Sequence, residues 1–486
     1  MRARLLWLAF ALALALPAAA AEPRGGGIAF SPCQLSHPVL PIRVPARCGT
    51  LSVAEDPASP GGRRIALRVA LLSADAPRAQ PDAVFVLAGG PGQSITETYP
   101  TLAGAFERLN RDRDIVLVDQ RGTGGSGPLA CPPEAAGHHL DVLPTDDRGR
   151  AADCARSVAA DLTKYGTAAA VRDLEAVRAA LGYERVNLVG FSYGTRLALA
   201  YAHEHPDRTR TLVLDGVTPF EMRVGAEFDR DAERALMALF ARCLSEPPCR
   251  ARFPALEHDF RDLLLRLDRR PERVRTADPW TGEPLELAVD GSALRQVVLG
   301  FLYQGETAAL LPVLIEEAAG GNLAPLAAQG LLVAADLQAG LSKPVHLSVL
   351  CAEDVPFYQP PEPAARGSFL GSSARDALQA LCSVWPRGEP LGPLAAPREL
   401  PVPALLISGG ADPVTPPSWA ELAAKSLPRS RLLTLPGQGH GNFGRGCMPR
   451  IAADFVRQGS ADGLDASCLA RVRPPPVFID LLGAAP

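Results

Sequence analysis

A serine at the apex of a glycine-flanked turn is the residue of this chain best suited to nucleophilic chemistry. Ser192 lies at the centre of the sequence GFSYG at 190–194, which has the pattern G-x-S-x-G. Val186, Leu188 and Val189 form an apolar run of the length of a buried strand, and residues 195–203 have the composition of a helix. Small residues on both sides let the backbone turn sharply and expose the hydroxyl group. The pattern predicts Ser192 as a nucleophile, and a plain loop is the alternative interpretation.

A serine hydroxyl reacts when a base takes its proton and a third group orients that base. Of the eight histidines, His440 stands in a glycine-rich loop, GQGHG at 437–441, directly after the last candidate strand at 430–435. The other seven lie in the N-terminal segment, in loops, in helices or near the border of a helical region. We therefore predict His440 as the base, against the alternative of an ordinary surface-loop histidine.

Asp412 is the predicted orienting acid. It follows the candidate strand ALLIS at 404–408, within the sequence GGADPVTP at 409–416, so that the chain order is Ser, Asp, His. Asp215 is its rival, because it ends another candidate strand, RTLVLD at 210–215. We favour Asp412, since Asp215 leads into a helical region and suits a structural cap or a loop anchor.

A second glycine-rich loop follows the candidate strand AVFVLA at 83–88. Its sequence, GGPGQS at 89–94, offers backbone N–H groups with little side chain around them. Acyl-transfer sites of this kind take one oxyanion donor from such a loop and the other from the residue after the nucleophile. We predict these donors as the N–H groups of Gly90 and Tyr193, with Gly89 as the second choice in the loop. A plain turn is the alternative.

Continuous apolar strands alternate with helices along much of the chain, which predicts an α/β fold with a mostly parallel sheet and helices on both faces. Residues 33–74 have the pattern of a β-rich start with a hairpin. The carboxyl ends of the parallel strands share one edge, and Ser192 lies there with its predicted partners. The loop QRGTGGS at 120–126 reaches the same edge but lacks the phosphate-binding patterns. We interpret Asp119 and Arg121 as an ion pair that shapes this loop.

Helical periodicity with few strand signals runs from 220 to 342 and interrupts this alternation. An insertion placed after a strand end predicts a helical cap over the catalytic edge. It would divide the core into a first part at 22–219 and a second part at 343–486. Strands at 346–350 and 404–408 are expected to resume the sheet.

The N-terminal residues 1–21 have the features of a secretory signal, with two arginines, an apolar run at 5–16 and small residues before Glu22. An apolar run of this length is too short to span a bilayer comfortably. We therefore predict a soluble, exported protein, periplasmic or extracellular, with no membrane contact after cleavage.

Ten cysteines fall in sequence-close pairs, and an even number in an exported chain is most simply a set of disulfides. The spacing leaves the connectivity open, but loop closure favours neighbours: Cys33 with Cys48, Cys131 with Cys154, Cys243 with Cys249, Cys351 with Cys382, and Cys447 with Cys468. The sequence has no C-x-x-C pair or Cys/His cluster, so we predict no metal. A net charge of −4 without basic runs argues against a nucleic-acid partner.

Five ordered motifs carry a family resemblance: AGGPGQS, DQRGTGGS, GFSYGT, GGADPVTP and GQGHG, which begin at 88, 119, 190, 409 and 437. The set resembles the α/β-hydrolase peptidases of the proline iminopeptidase and tripeptidyl aminopeptidase family. The segment with Cys447 and Cys468 is similar to that of the tripeptidyl aminopeptidase branch. The chain departs from the pattern at Ala88, where iminopeptidases commonly carry a histidine, which argues against a strict proline iminopeptidase activity rather than against the fold.

The resemblance implies the α/β-hydrolase fold and a serine exopeptidase that acts on peptides with a free N-terminus and needs no cofactor. It also implies acidic residues that bind the α-ammonium group, and Glu353 and Asp354 occupy the matching region. A carboxylate in a partly desolvated cleft favours an ammonium group and rejects a blocked N-terminus. We favour Glu353 within the pair; a solvated acidic pair at the start of a loop is the alternative.

Two other functions stay open at the level of sequence. An esterase would use the same three residues, because ester and amide hydrolysis share this machinery. A hydrolase-like binding protein without catalysis is the other, although the ordered Ser, Asp and His argue against it. Free and N-acetylated substrates would separate the peptidase from the esterase, and a fluorophosphonate probe would detect an active serine.

Overall fold

The structure is a computed structural model that describes residues 27–132, 140, 147–360, 367–396 and 398–484. The signal sequence predicted at 1–21 lies outside these residues. The strands are β1 (Ser31–Ser36), β2 (Arg43–Ala54), β3 (Arg64–Leu72), β4 (Val84–Leu87), β5 (Ile115–Val118), β6 (Val186–Phe191), β7 (Thr209–Asp215), β8 (Glu272–Ala277), β9 (Pro284–Val289), β10 (Ala404–Gly409), β11 (Ser430–Leu435), β12 (Phe478–Asp480) and β13 (Gly483–Ala484).

Nine strands of the described residues form one sheet in the spatial order β1-β2-β3-β5-β4-β6-β7-β10-β11. Strands β1 to β3 are antiparallel to their neighbours at one side of the sheet. The remaining six strands are parallel to one another, so their carboxyl ends meet at a single edge. The predicted α/β fold with a mostly parallel sheet is confirmed.

The fifteen helices of the described residues cover this sheet and extend beyond it. They are α1 (Ile95–Asn110), α2 (Arg148–Ser157), α3 (Thr167–Leu181), α4 (Tyr193–Glu204), α5 (Phe228–Ser245), α6 (Pro247–Arg252), α7 (Leu256–Arg269), α8 (Gly291–Leu302), α9 (Gly305–Ala308), α10 (Leu311–Ala319), α11 (Ala324–Gln338), α12 (Lys343–Glu353), α13 (Ser373–Cys382), α14 (Pro417–Ala424) and α15 (Met448–Gln458).

The two faces of the sheet bury alternate residues of the parallel strands, as the two-residue period of a strand requires. On β4, Phe85 and Leu87 face a core shared with α3, α4 and the helices between α5 and α11. Val84 and Val86 of the same strand face a second core shared with α1 and α15. Both faces are therefore covered, which explains why these strands are continuously apolar in sequence.

Residues 220–342 contain helices α5 to α11, together with the antiparallel hairpin β8–β9, which the sequence did not predict. The strand predicted at 346–350 is wrong, because these residues lie within helix α12. That helix is buried on most of its surface, so it lacks the regular polar face of an amphipathic helix, and its sequence resembles that of a buried strand. The division of the chain into a cap and two core parts stays a prediction.

The five predicted disulfides are present, each between sequence neighbours: Cys33–Cys48, Cys131–Cys154, Cys243–Cys249, Cys351–Cys382 and Cys447–Cys468. Within the described ranges, no helix is both long enough and apolar enough to cross a membrane.

Candidate active site

Ser192 lies at a strained turn between β6 and α4. Its backbone has φ 54° and ψ −124°, and no other non-glycine residue of the described chain has a positive φ. A Cβ at Gly190 would overlap the carbonyl oxygen of Gly194, and one at Gly194 would overlap that of Leu87. The two glycines of the G-x-S-x-G pattern are therefore required by close backbone packing, and they hold the serine in a conformation that exposes its hydroxyl group.

Asp412 and His440 are joined by a hydrogen bond of 2.8 Å between Oδ2 and Nδ1. Asp412 is fully buried in the loop after β10, and its other oxygen, Oδ1, accepts the N–H groups of Val414 at 2.9 Å and Thr415 at 2.8 Å. The hydroxyl group of Thr415 donates to Oδ2 at 2.8 Å. With these donors the carboxylate is fixed in place and presents one oxygen to the imidazole.

The opposite charges of Asp412 and His440 shift the pKa values of both groups. Burial disfavours the imidazolium of His440, but the charge and hydrogen bond of Asp412 and the charge of Asp215 outweigh it, so the pKa of His440 is raised. Burial also acts to raise the pKa of Asp412, whereas His440 and the backbone N–H groups of the loop lower it below its ordinary value. An imidazole in this setting accepts a proton readily and holds it while Asp412 stays ionised.

The His440 loop is held by the carboxyl end of α8. The N–H of His440 donates to the carbonyl of Tyr303 at 2.6 Å, and its own carbonyl accepts from the side chain of Gln304 at 3.1 Å. The ring of Tyr303 packs edge-on against the imidazole, with 5.4 Å between the ring centres. These contacts fix the ring through the backbone of His440 as well as through Asp412. No local pattern indicated Tyr303, because it is 137 positions from His440.

Ser192 and His440 both lie against the short backbone segment of Asp215 and Gly216. The N–H of Ser192 donates to the carbonyl of Asp215 at 2.9 Å. Gly216 has φ 68°, and a Cβ there would lie 2.7 Å from Cε1 of His440. Because Gly216 has no side chain, the imidazole can lie against the same short backbone segment that holds Ser192. Asp215 directs its carboxylate to the residues after His440 and not to the imidazole nitrogen.

The glycine-rich loop after β4 borders the nucleophile. A Cβ at Gly89 would lie 3.1 Å from Cβ of Ser192, and the next residue, Gly90, has φ 105°. Tyr193 is the first residue of α4, so its N–H points out of the helix N-terminus, where no helical carbonyl can accept it. The two N–H groups predicted as oxyanion donors thus belong to segments that flank Ser192.

The segment between α11 and α12 holds this loop in place. The N–H of Ser94 donates to the carbonyl of Gly340 at 3.0 Å, and the N–H of Ser342 donates to that of Gly92 at 2.8 Å. The imidazole of His346 lies 2.9 Å from the carbonyl of Pro91 through Nδ1. The conformation of the loop therefore depends on the last residues of the predicted cap and on the start of α12, which no local pattern in the sequence indicated.

The interpretation of Asp119 and Arg121 as an ion pair is wrong. Arg121 pairs with Asp173 on α3, at 2.6 and 2.7 Å, and both side chains are buried. Asp119 instead accepts hydrogen bonds from Ser94, from Thr96 and from the N–H of Gly125. Asp119 therefore ties the glycine-rich loop and the start of α1 to the loop after β5. Although Asp119 and Arg121 are two positions apart in sequence, their side chains contact different residues.

Glu353 and Asp354 lie at the end of α12, and both are buried. Asp354 forms an ion pair with Arg196 of α4 at 2.9 Å and accepts the N–H of Val224 at 2.9 Å, so its charge is already compensated. Glu353 has no ion pair among the described residues and accepts two hydrogen bonds of 2.7 Å from the N–H and hydroxyl groups of Thr167. Burial raises the pKa of Glu353 to about 7, against these bonds and the charge of Arg196.

A second carboxyl group, the partly buried one of Glu227, was not predicted. Its Oε2 is buried without a hydrogen-bond partner in the described structure, and burial raises its pKa to about 6. Glu227 precedes α5, three positions after Val224, whose N–H binds Asp354. The segment that begins the predicted cap therefore brings a further acid to the region of Glu353.

Comparisons with known proteins agree with this architecture. A family model of the alpha/beta hydrolase fold matches residues 82–242, and a model of TAP-like proteins matches residues 368–468. Serine protease Hip1 of Mycobacterium tuberculosis is 28% identical over 493 residues, which cover 92% of each chain.

Two further relatives match shorter stretches. Tripeptidyl aminopeptidase of Streptomyces coelicolor is 29% identical over 216 residues, 41% of this chain and 39% of the relative. Proline iminopeptidase of Xylella fastidiosa is 34% identical over 139 residues, 28% of this chain and 32% of the relative.

The parallel sheet, the strand–serine–helix turn and these matches define the chain as an α/β-hydrolase. Within that class the chain is similar to the tripeptidyl aminopeptidases and proline iminopeptidases, and residues 368–468 match the TAP-like model, in agreement with the resemblance that its five motifs carry.

Proposed function

We propose that this protein is an exported serine exopeptidase that releases short peptides or single residues from free peptide N-termini, with Ser192, His440 and Asp412 as its catalytic triad. The observation that carries the proposal is the 2.8 Å hydrogen bond between Asp412 and His440, formed beside the strained turn of Ser192. Peptidases among the relatives support peptides as the substrate class.

The reaction begins when Oγ of Ser192 attacks the scissile carbonyl carbon and Nε2 of His440 takes the hydroxyl proton. Nδ1–H of the imidazole donates to Asp412, which stabilises the imidazolium. The N–H groups of Gly90 and Tyr193 donate to the oxyanion of the tetrahedral intermediate. His440 then protonates the leaving amine, and an acyl-enzyme remains. A water molecule, deprotonated by His440, attacks the acyl-enzyme and releases the N-terminal fragment from Ser192. Each step uses a side chain or backbone group of this chain.

Glu353 is the residue we assign to the substrate ammonium group. It is a buried carboxylate without an ion pair in the described structure, so the ammonium group of a bound peptide would compensate its charge. Its hydrogen bonds to Thr167 continue to Tyr193, whose hydroxyl group lies 2.6 Å from that of Thr167. Two hydrogen bonds therefore link the proposed ammonium site to the side chain of Tyr193, the residue whose backbone N–H is a proposed oxyanion donor. Asp354, also predicted for this role, already has its charge compensated by Arg196.

Export to the periplasm or the outside of the cell is part of the proposal. The five disulfides suit an oxidising compartment, where such bonds persist. The features of a secretory signal at 1–21 support the same location.

The test compares tripeptidyl 4-nitroanilides that have free and N-acetylated N-termini. We expect hydrolysis of the free substrates and a loss of about 100-fold in kcat/KM for the acetylated ones, because a buried carboxylate is then left without its cation. Ser192→Ala should abolish turnover and labelling by a fluorophosphonate probe while leaving the circular dichroism spectrum unchanged. Equal rates on both substrates would favour an esterase or an endopeptidase, and undiminished turnover by Ser192→Ala would refute the triad.

Glu353→Gln and Glu227→Gln form a matched pair that locates the ammonium site. Each variant replaces one carboxyl group, buried in Glu353 and partly buried in Glu227, by an amide of the same shape. If Glu353 binds the ammonium group, Glu353→Gln raises KM for free tripeptides and nearly removes the preference over acetylated ones, while Glu227→Gln keeps it. The reverse result would assign the ammonium site to Glu227.

A further inference from the structure

Asp215 connects the two loops that carry the proposed nucleophile and base. Its backbone carbonyl accepts the N–H of Ser192 at 2.9 Å. Oδ2 of its side chain accepts the N–H of Asn442 at 2.6 Å and that of Phe443 at 2.7 Å, shortly after His440. One buried residue at the end of β7 therefore holds the serine turn through its backbone and the histidine loop through its side chain.

The second oxygen of this carboxylate, Oδ1, is buried and has no hydrogen-bond partner among the described residues. A buried anionic oxygen without a donor costs free energy unless a nearby positive charge compensates it. The imidazolium of His440 can supply that charge, and the opposite charges of His440 and Asp215 stabilise one another. The carboxylate of Asp215 therefore attracts the imidazolium of His440, whereas a neutral side chain could hold the loop without this attraction.

We propose that Asp215 is a positioning residue of the same site. Its side chain fixes the His440 loop against the serine turn, and its negative charge stabilises the imidazolium that forms when His440 takes the proton of Ser192. This proposal rests on the triad proposed above, in which Asp412 remains the hydrogen-bond partner of the imidazole.

Asp412 and Asp215 interact with the imidazole of His440 in different ways. Asp412 bonds Nδ1 of His440 directly, and Arg234 donates to the carbonyl oxygen of Asp412 at 3.3 Å. Asp215 acts on His440 through space, across the short segment that contains Gly216. Burial raises the pKa of Asp215 to about 6, against its two N–H donors, so it is ionised at neutral pH. Two carboxylates therefore act on one imidazole, one by a hydrogen bond and one by charge.

Asp215→Asn separates the charge from the structural contacts. The amide oxygen can still accept the N–H groups of Asn442 and Phe443, and the amide nitrogen replaces the oxygen that has no partner. We expect kcat to fall about tenfold and KM to stay within about twofold, because the imidazolium loses a neighbouring negative charge. The pKa of His440 falls with it, so the midpoint of the acid limb of kcat/KM should move about one pH unit lower.

The matched control is Asp82→Asn. Asp82 is also buried, and it pairs with Arg113 at 3.0 Å, but it precedes β4 and so lies at the opposite edge of the sheet. We expect its pH profile to coincide with that of the parent. A pH profile of Asp215→Asn that coincides with the parent's, or an equal shift in Asp82→Asn, would overturn the proposal and leave Asp215 as a loop anchor.

A second measurement covers the case in which Asp215→Asn does not fold. The acid limb of Glu353→Gln, which lacks the buried carboxyl group with a pKa of about 7, should then fall more steeply than a one-proton curve, because protonation of either His440 or Asp215 lowers the rate. A limb that follows one proton throughout would contradict the proposal. Ser192→Ala keeps the two proposals apart: its continued turnover refutes the triad, whereas an inactive Ser192→Ala with an unshifted Asp215→Asn refutes only the role of Asp215.

Discussion

Arg196 and Asp354 form an ion pair in which both side chains are fully buried, with Nη1 at 2.9 Å from Oδ1 and 3.0 Å from Oδ2. Arg196 lies on α4, the helix that begins after Ser192, and Asp354 follows Glu353 at the end of α12. The pair therefore fixes the position of the proposed ammonium site relative to the nucleophile. It also explains why Asp354 is not available to a substrate.

Removing one partner of this pair should strongly destabilise the protein. We expect Arg196→Met to lower the free energy of unfolding by about 3–5 kcal/mol, because Asp354 is left as a buried charge without a partner. Urea unfolding at pH 7 measures the effect. The double variant Arg196→Met/Asp354→Asn should recover part of the loss, since the amide carries no charge and still accepts the N–H of Val224. A double variant no more stable than Arg196→Met would contradict this account.

Gly216 is the position at which a single methyl group should disturb the base. Gly216→Ala places a Cβ 2.7 Å from Cε1 of His440, at a backbone φ of 68°. We expect kcat to fall about 100-fold, because a displacement of about 1 Å in a catalytic group has effects of this size. Steady-state kinetics on a free tripeptidyl substrate measures it.

The control for this variant is Gly282→Ala, in the turn between β8 and β9. Gly282 has a similar φ of 74°, but a Cβ there would meet no atom within 4 Å. Both variants carry the cost of an alanine with positive φ, about 1 kcal/mol, while the clash with His440 is confined to Gly216→Ala. Equal losses of kcat in the two variants would show that strain alone, and not the position of His440, is responsible.

The site residues that could be predicted from the sequence lie next to recognisable strand and glycine patterns. Ser192, Asp412 and His440 each follow a parallel strand in a glycine-rich loop, and parallel strands bring such loops to one edge of the sheet. The disulfide pairing was readable for a related reason, because each bond closes a short loop.

The part that was not readable depends on contacts between distant positions. Arg121 pairs with Asp173 rather than with the near Asp119, because the loop turns the two side chains to different neighbours. Tyr303 reaches His440 from the end of α8, which only the packing of the predicted cap determines. Residues 346–350 look like a strand in sequence because a helix buried on most sides has no polar face.

Glu353 should make the stability of the protein depend on pH. Its pKa of about 7 in the folded state lies above the ordinary value of 4.5, so the folded chain binds its proton more tightly than the unfolded chain does. The stabilisation that results is complete below about pH 4.5 and is lost as the pH rises through about 7. Glu353→Gln has no such proton, so its stability relative to the parent should increase between pH 5 and pH 8 by about 1–3 kcal/mol.

Urea unfolding of both proteins at pH 5 and pH 8 measures this difference, with Asp82→Asn as the control for loss of a buried carboxyl group at the opposite sheet edge. A difference between parent and Glu353→Gln that stays constant with pH would mean that Glu353 is ionised throughout this range. The same comparison can be made in proteins that also carry Ser192→Ala, so that a saturating free tripeptide binds without being cleaved. At pH 8 the tripeptide should reduce the difference in stability between the proteins with and without Glu353→Gln, because its ammonium group stabilises the charged carboxylate.

Thr415 should contribute to catalysis through the hydrogen bond that it donates to Asp412. Its hydroxyl oxygen lies 2.8 Å from Oδ2 of Asp412 and 2.9 Å from Nδ1 of His440, so it steadies the carboxylate at the point where the imidazole binds. We expect Thr415→Val, which keeps the shape but lacks the hydroxyl group, to lower kcat about tenfold or more with little change in KM, because a hydrogen bond to a charged group is worth about 1.5–3 kcal/mol. Thr415→Ser keeps the hydroxyl group and should recover most of the rate. If both variants lose the same activity on a free tripeptidyl substrate, the methyl group and its packing matter, and the hydrogen bond does not.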